Sequence, residues 1–138
     1  MEFKYAEEMV LVDNCPPSDA VARETEAFRF VHEEIGDGRN FLCVWKLNPA
    51  RKLAEKERCS GLGLSFFISE ECARKRYEHL SRSHRNIGKS LGTKLASGTL
   101  KNEDGRRSNP GSSGHFDFWE AVGVEFASRF VIIADLII

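Results

Sequence analysis

Residues 61–72 read Gly-Leu-Gly-Leu-Ser-Phe-Phe-Ile-Ser-Glu-Glu-Cys, an apolar run of strand length that ends on a serine followed by two acids. Ser69 is a helix N-cap type whose hydroxyl can satisfy an orphan backbone amide, and Glu70 and Glu71 fall where the positive end of a helix favours negative charge. Beyond them Ala73, Tyr77, Leu80 and His84 recur at intervals of three and four, leaving Arg74, Lys75, Glu78 and Arg82 for solvent. A strand that hands directly to an amphipathic helix places that helix on its own sheet. The expected fold class is therefore α+β: one principal helix over about residues 70–83, packed on a mixed or antiparallel sheet of about five strands.

The rest of the chain supplies the other strands. With 138 residues, 41% hydrophobic and 30% charged, it suits a single domain over residues 1–138 with a core of its own. Residues 27–31 alternate, with Phe28 and Phe30 expected inward, and the continuous apolar run 41–45 reads as a central strand ended by Asn48-Pro49. Pro16-Pro17-Ser18 precedes a short helix expected over residues 19–25. Residues 50–58 suit an exposed turn of helix or an ordered loop, and 93–100 a twisted strand. Residues 101–114, rich in Gly, Asn, Pro and Ser, read as a long mobile loop. His115 to Trp119 then alternates, with Phe116 and Phe118 on one face and His115, Asp117 and Trp119 on the other. A closing strand follows over residues 129–134.

Cys15, Cys43, Cys59 and Cys72 show no Cys-x-x-Cys spacing, and Glu2, Lys4, Glu7 and Glu8 rule out a signal-peptide core at the start. Free thiols in a cytoplasmic protein are the first expectation, with two disulfides as the alternative, and with no metal site and no cofactor motif. No apolar run nears the roughly 20 residues of a membrane span, so no membrane partner is expected. Ile87-Gly88-Lys89-Ser90 has the end of a phosphate loop without its leading glycine, which excludes that motif.

The net charge of −1 hides an asymmetry: residues 61–114 carry 10 basic and 5 acidic side chains between two acidic flanks. Arg74, Arg82, Arg85 and Lys89 lie in its densest part, and make a phosphate-bearing ligand, nucleic acid or an acidic protein the partners to consider. Trp119 is a candidate wall for such a site. Arg29 and Ser65 on separate strands, with a late carboxylate such as Glu125, are the residue types of an ADP-ribosyl-transfer site.

His115 and Asp117 sit at i and i+2 on an expected strand, on one face, where a carboxylate can orient an imidazole. Cys72 in a first helical turn is the matching nucleophile, since that position favours a thiolate. Gly114-His115-Phe116-Asp117-Phe118-Trp119, with Cys72-Ala73 opening a helix upstream, resembles the cysteine amidase effectors of type VI secretion. The resemblance implies cleavage of peptidoglycan cross-links, with Cys72 as nucleophile, His115 as base and Asp117 orienting it. With no complete catalytic signature on a single stretch, the first expectation is a small intracellular binding or accessory module; the cysteine hydrolase and the phosphate or nucleic-acid binder are its alternatives.

Overall fold

The strand–cap–helix unit forms as its residues dictate. Ser69 Oγ accepts from the Cys72 backbone N–H at 3.1 Å, and a fourteen-residue helix follows. The computed structural model describes residues 1–136. In chain order its elements are α1 (Ala6–Met9), β1 (Thr25–Val31), α2 (Val44–Leu47), α3 (Arg58–Gly61), β2 (Leu64–Phe67), α4 (Glu70–Ser83), α5 (Ile87–Leu91), β3 (Lys94–Leu100), β4 (Gly105–Arg107), β5 (His115–Glu120) and β6 (Val131–Asp135). Short 3-10 turns lie at Glu55–Glu57, Asn102–Asp104 and Phe126–Ser128. No described helix is long and apolar enough to cross a membrane.

The strands form one six-stranded sheet in the order β4-β5-β2-β1-β3-β6, every neighbouring pair antiparallel. This is the expected α+β architecture with one principal helix. Both faces are covered, so both side-chain sets of β1 are shielded. On one face Phe28, Phe67 and Leu95 pack with Ala73 of α4. Tyr77 presses edge-on to Phe30, with ring centroids 5.1 Å apart, while its hydroxyl donates to the Gly92 carbonyl at 2.9 Å. The opposite face holds the larger core. Phe66 is fully buried there, ringed by Phe116, Phe118, Phe126 and Phe130 at 5.6 to 6.2 Å. Cover on this side is irregular chain carrying Tyr5, Met9, Cys43 and Leu62 rather than a long helix.

That cover explains two departures from the sequence reading. Residues 41–45 are not a strand: Phe41 stacks on Phe126 at 5.4 Å, Cys43 is buried, and α2 begins at Val44. A continuous apolar run reports burial without reporting the backbone state. Nor do residues 19–25 form a helix. Val21 exchanges both backbone hydrogen bonds with Arg107, at 2.9 and 2.8 Å, so this stretch is extended by a long-range pairing that overrides the local cap signal. The segment 101–114 contains a 3-10 turn and β4. Its Asp104 is buried, accepting from the Lys101 N–H at 2.6 Å and pairing with Arg129.

The cysteines also differ from expectation, because Cys15 and Cys59 form a disulfide while Cys43 and Cys72 stay free. The bond ties the N-terminal arm to the segment entering β2. It removes the thiol ground for expecting a reducing compartment, since structural disulfides are rare in the cytosol. With a sequence separation of 44 between the partners, the chain-entropy model gives a stabilisation of about 4 kcal/mol. Substituting both residues, Cys15→Ser with Cys59→Ser, is expected to lower the urea midpoint by the equivalent of about 2–4 kcal/mol. An unchanged midpoint in the double variant contradicts this assignment.

Candidate functional site

β1 and β3 pair in register over seven positions, from Thr25 to Val31, whereas β1 and β2 share only Phe28↔Phe67. Past that pair the two strands part. Arg29 spans the gap: Nη1 donates to the Ser65 carbonyl at 2.8 Å and Nε to the Asn40 carbonyl at 2.7 Å. Its guanidinium also lies near the rings of Phe41 and Phe66, 5.9 and 5.7 Å from their centroids. Burial pushes Arg29 down to about 10, which still leaves it charged at neutral pH. Asn40 is itself buried, accepting from the His32 N–H at 2.6 Å and donating to the carbonyls of Glu34 and Ile35 at 2.8 and 3.2 Å. One amide thus pins the loop that follows β1.

The gap opens into a cleft of about 500 Å³. Arg29, Ser65 and His115 line it together with Arg39, Arg76 and His32, and Phe30, Leu42, Leu47 and Leu80 give it apolar walls. No aspartate or glutamate is among its lining residues. Ser90 and Leu91 reach its rim because α5 ends at Gly92, whose φ of +88° and near contact with β1 exclude a side chain: a Cβ there would lie 2.1 Å from the Val31 carbonyl oxygen.

Ser65 and Asp117 are direct partners across β2 and β5, with His115 two residues before Asp117 on the same face. His115 Nε2 and Ser65 Oγ lie 3.0 Å apart in a hydrogen bond, and Asp117 Oδ1 is 3.8 Å from the same nitrogen. Burial, with the Arg76 charge adding to it, lowers the His115 pKa below its usual value, so the imidazole is neutral at pH 7. Burial pushes the Asp117 carboxyl up to about 6. The expected same-face arrangement of His115 and Asp117 is therefore present, and the hydrogen-bonding neighbour of the imidazole is a serine.

Cys72 is elsewhere. It packs beside Phe67 and Ala73 under α4 and against Gly114, where a Cβ would lie 2.6 Å from its sulfur. No hydrogen bond joins it to His115 among the described residues, and it does not line the cleft. On α4, Arg74 pairs with Glu70, Lys75 with Glu71 and Arg82 with Glu78, all at i and i+4 on the exposed face. Arg85 and Lys89 are also exposed and outside the cleft. Trp119 is buried, its indole donating to the Cys59 carbonyl at 2.9 Å. Of the ADP-ribosyl-transfer residue types, Arg29 and Ser65 meet while Glu125 lies outside the cleft.

The sequence reading takes Arg76 only as one of the basic run that follows Cys72, and does not single out Arg39 or His32. Arg76 follows Ala73 by three and precedes Leu80 by four, so helical periodicity alone places it beside the buried face. Arg39 and His32 reach the cleft through the Asn40 loop, which no local pattern announces. Among the described residues no group of three or more His, Cys, Asp or Glu side chains gathers as a metal site requires.

Behind the cleft, Glu120 is buried, with Oε1 lacking a hydrogen-bond partner and Lys4 Nζ 3.9 Å away. Burial pushes its carboxyl up to about 7, against partial relief from Lys4 and Arg29. A raised folded-state pKa means that the folded protein holds a proton the unfolded chain releases, so stability falls as pH rises from about 4.5 through 7. Glu120→Gln is expected to be stabilising relative to wild type by on the order of 2 kcal/mol at pH 8 and by little at pH 4.5, measured by urea unfolding. A difference that stays constant across this range contradicts the assignment. Comparison with protein-family models, with curated proteins and with solved structures finds no match to this chain.

Proposed function

We propose that the protein is a small binding module that takes an anionic molecule, specifically a phosphate-bearing ligand, in the cleft between β1 and β2. The supporting observation is the lining: Arg29, Arg39 and Arg76 meet there beside the imidazoles of His32 and His115, with no carboxylate among the lining residues, and Asp37 outside the lining holds Arg39 in a two-point ion pair. Arg29 and Arg76 are the cations of this wall that pair with no carboxylate side chain among the described residues, and in a concave, partly desolvated setting they focus positive potential on the space between them. The cleft volume of about 500 Å³ is in the ordinary range for small-molecule sites. Its apolar walls fit the non-ionic part of such a ligand.

The same geometry argues against the outer face of α4 as the binding surface. Arg74 and Arg82 there are already matched by Glu70 and Glu78, leaving little net charge for a nucleic-acid backbone or an acidic protein. Arg76, on the adjoining side of the helix, is the basic residue of α4 that meets the cleft.

Calorimetric titration with inorganic phosphate and pyrophosphate at low salt tests the proposal. Arg76→Ala is expected to weaken binding about tenfold, the loss of one charge-assisted contact, and Arg74→Ala to leave it unchanged. No binding by the wild type, or equal weakening in both variants, overturns it.

A further inference from the structure

Two serine–histidine hydrogen bonds occur among the described residues, and they differ in setting. Ser83 Oγ and His84 Nδ1, 3.1 Å apart, are sequence neighbours on the exposed end of α4. Ser65 Oγ and His115 Nε2, 3.0 Å apart, come from positions 50 residues apart and both line the cleft. The second pair is assembled by the β2–β5 register, which also sets Asp117 directly across from Ser65. The anion-binding reading uses His115 only as a lining group and leaves the hydroxyl and that carboxylate without a task.

We propose that the cleft catalyses acyl transfer to water, with Ser65 as nucleophile and His115 as its base, on an ester that carries an anionic group. The anionic end of this substrate rests on the binding reading; the nucleophile does not. Ser65 Oγ attacks the ester carbonyl carbon while its proton passes to His115 Nε2, the nitrogen it already contacts. The tetrahedral intermediate collapses: the carbon–alkoxy bond breaks, the leaving oxygen takes the proton from Nε2, and an acyl-serine remains. Water then gives a proton to His115 and attacks the acyl carbon. The Ser65 ester bond breaks, Oγ recovers the proton, and the net products are an acid and an alcohol. Arg76 brings positive charge to the cleft, which favours a developing oxyanion, and Asp117, 3.8 Å from Nε2, faces the transient imidazolium. A neutral imidazole at rest is the form this sequence of steps needs.

An alkyl fluorophosphonate tests the nucleophile without requiring the natural substrate, because attack by a serine oxygen expels fluoride and leaves a stable phosphonyl ester. Peptide mapping by mass spectrometry of the whole, folded protein is expected to find the label on Ser65 and none on Ser83, the internal control with its own histidine. His115→Gln and His115→Asn, each checked for an intact melting transition, are expected to slow labelling about a hundredfold. Asp117→Asn is expected to leave the label on Ser65 but move the pH midpoint of its rate downward, since the imidazolium loses a nearby anion. A wild-type Ser65 that labels no faster than Ser83, or at a rate independent of His115, overturns the proposal. Phosphate added during labelling separates the two readings. Binding of phosphate without labelling of Ser65 refutes the nucleophile and leaves the binding reading standing. Labelling of Ser65 with no phosphate binding or protection supports the nucleophile and refutes the binding reading.

Discussion

The parting of β1 from β2 is held by one side chain. Two strands adjacent in a sheet but joined at a single registered pair would ordinarily expose unpaired carbonyls along the split. Arg29 fills that role with a cation, giving one N–H to the Ser65 carbonyl on β2 and another to the Asn40 carbonyl on the loop after β1. Its charge is tolerable there because the guanidinium lies near two aromatic rings and keeps a route to solvent through the cleft. Everything assigned to the site depends on this split. Without it Ser65 would pair along β1, and no opening would separate the walls.

The two faces of the sheet divide the work. The Phe66 cluster, with Phe116, Phe118, Phe126 and Phe130, concentrates aromatic area under irregular cover, and truncating one such ring typically costs about 3–5 kcal/mol. The α4 face buries less and carries the polar side chains Ser65, His115 and Asp117, which all point to it. Stability is thus drawn mostly from one side of the sheet. The other side has room for polar groups that would be costly inside a dense core.

Local signals were legible where local forces decide. The Ser69 cap, the acids after it and the spacing of Ala73 and Tyr77 specify α4 from a single stretch, and the alternation of His115 to Trp119 specifies β5 with its facing correctly divided between Phe116 and Phe118 on one side and His115 and Asp117 on the other. Residues 41–45 and 19–25 were misjudged because their state is set from a distance, by the aromatic core in one case and by pairing with Arg107 in the other. The cleft was hidden for the same reason. Arg29 finds its acceptors 11 and 36 positions away, and Ser65 finds its imidazole 50 positions away. Spacing in the chain carries no trace of those contacts, so the hydrogen bond between His115 and the mid-strand Ser65 is not legible in the sequence.

The Tyr77 hydroxyl on the Gly92 carbonyl, together with the close approach of Gly92 to Val31, fastens α4, α5 and the end of β1 to one another. Arg76, Leu80, Ser90 and Leu91 belong to that clasped unit and form one jaw of the cleft. The opposite jaw, carrying Arg39, Leu42 and Leu47, is tied to β1 at Asn40, whose amide accepts from the His32 N–H and whose carbonyl accepts from Arg29. Widening the opening on that side would cost the Asn40 contacts and the Arg29 contact together, so the separation of the strands and the width of the cleft are set by one shared group of hydrogen bonds.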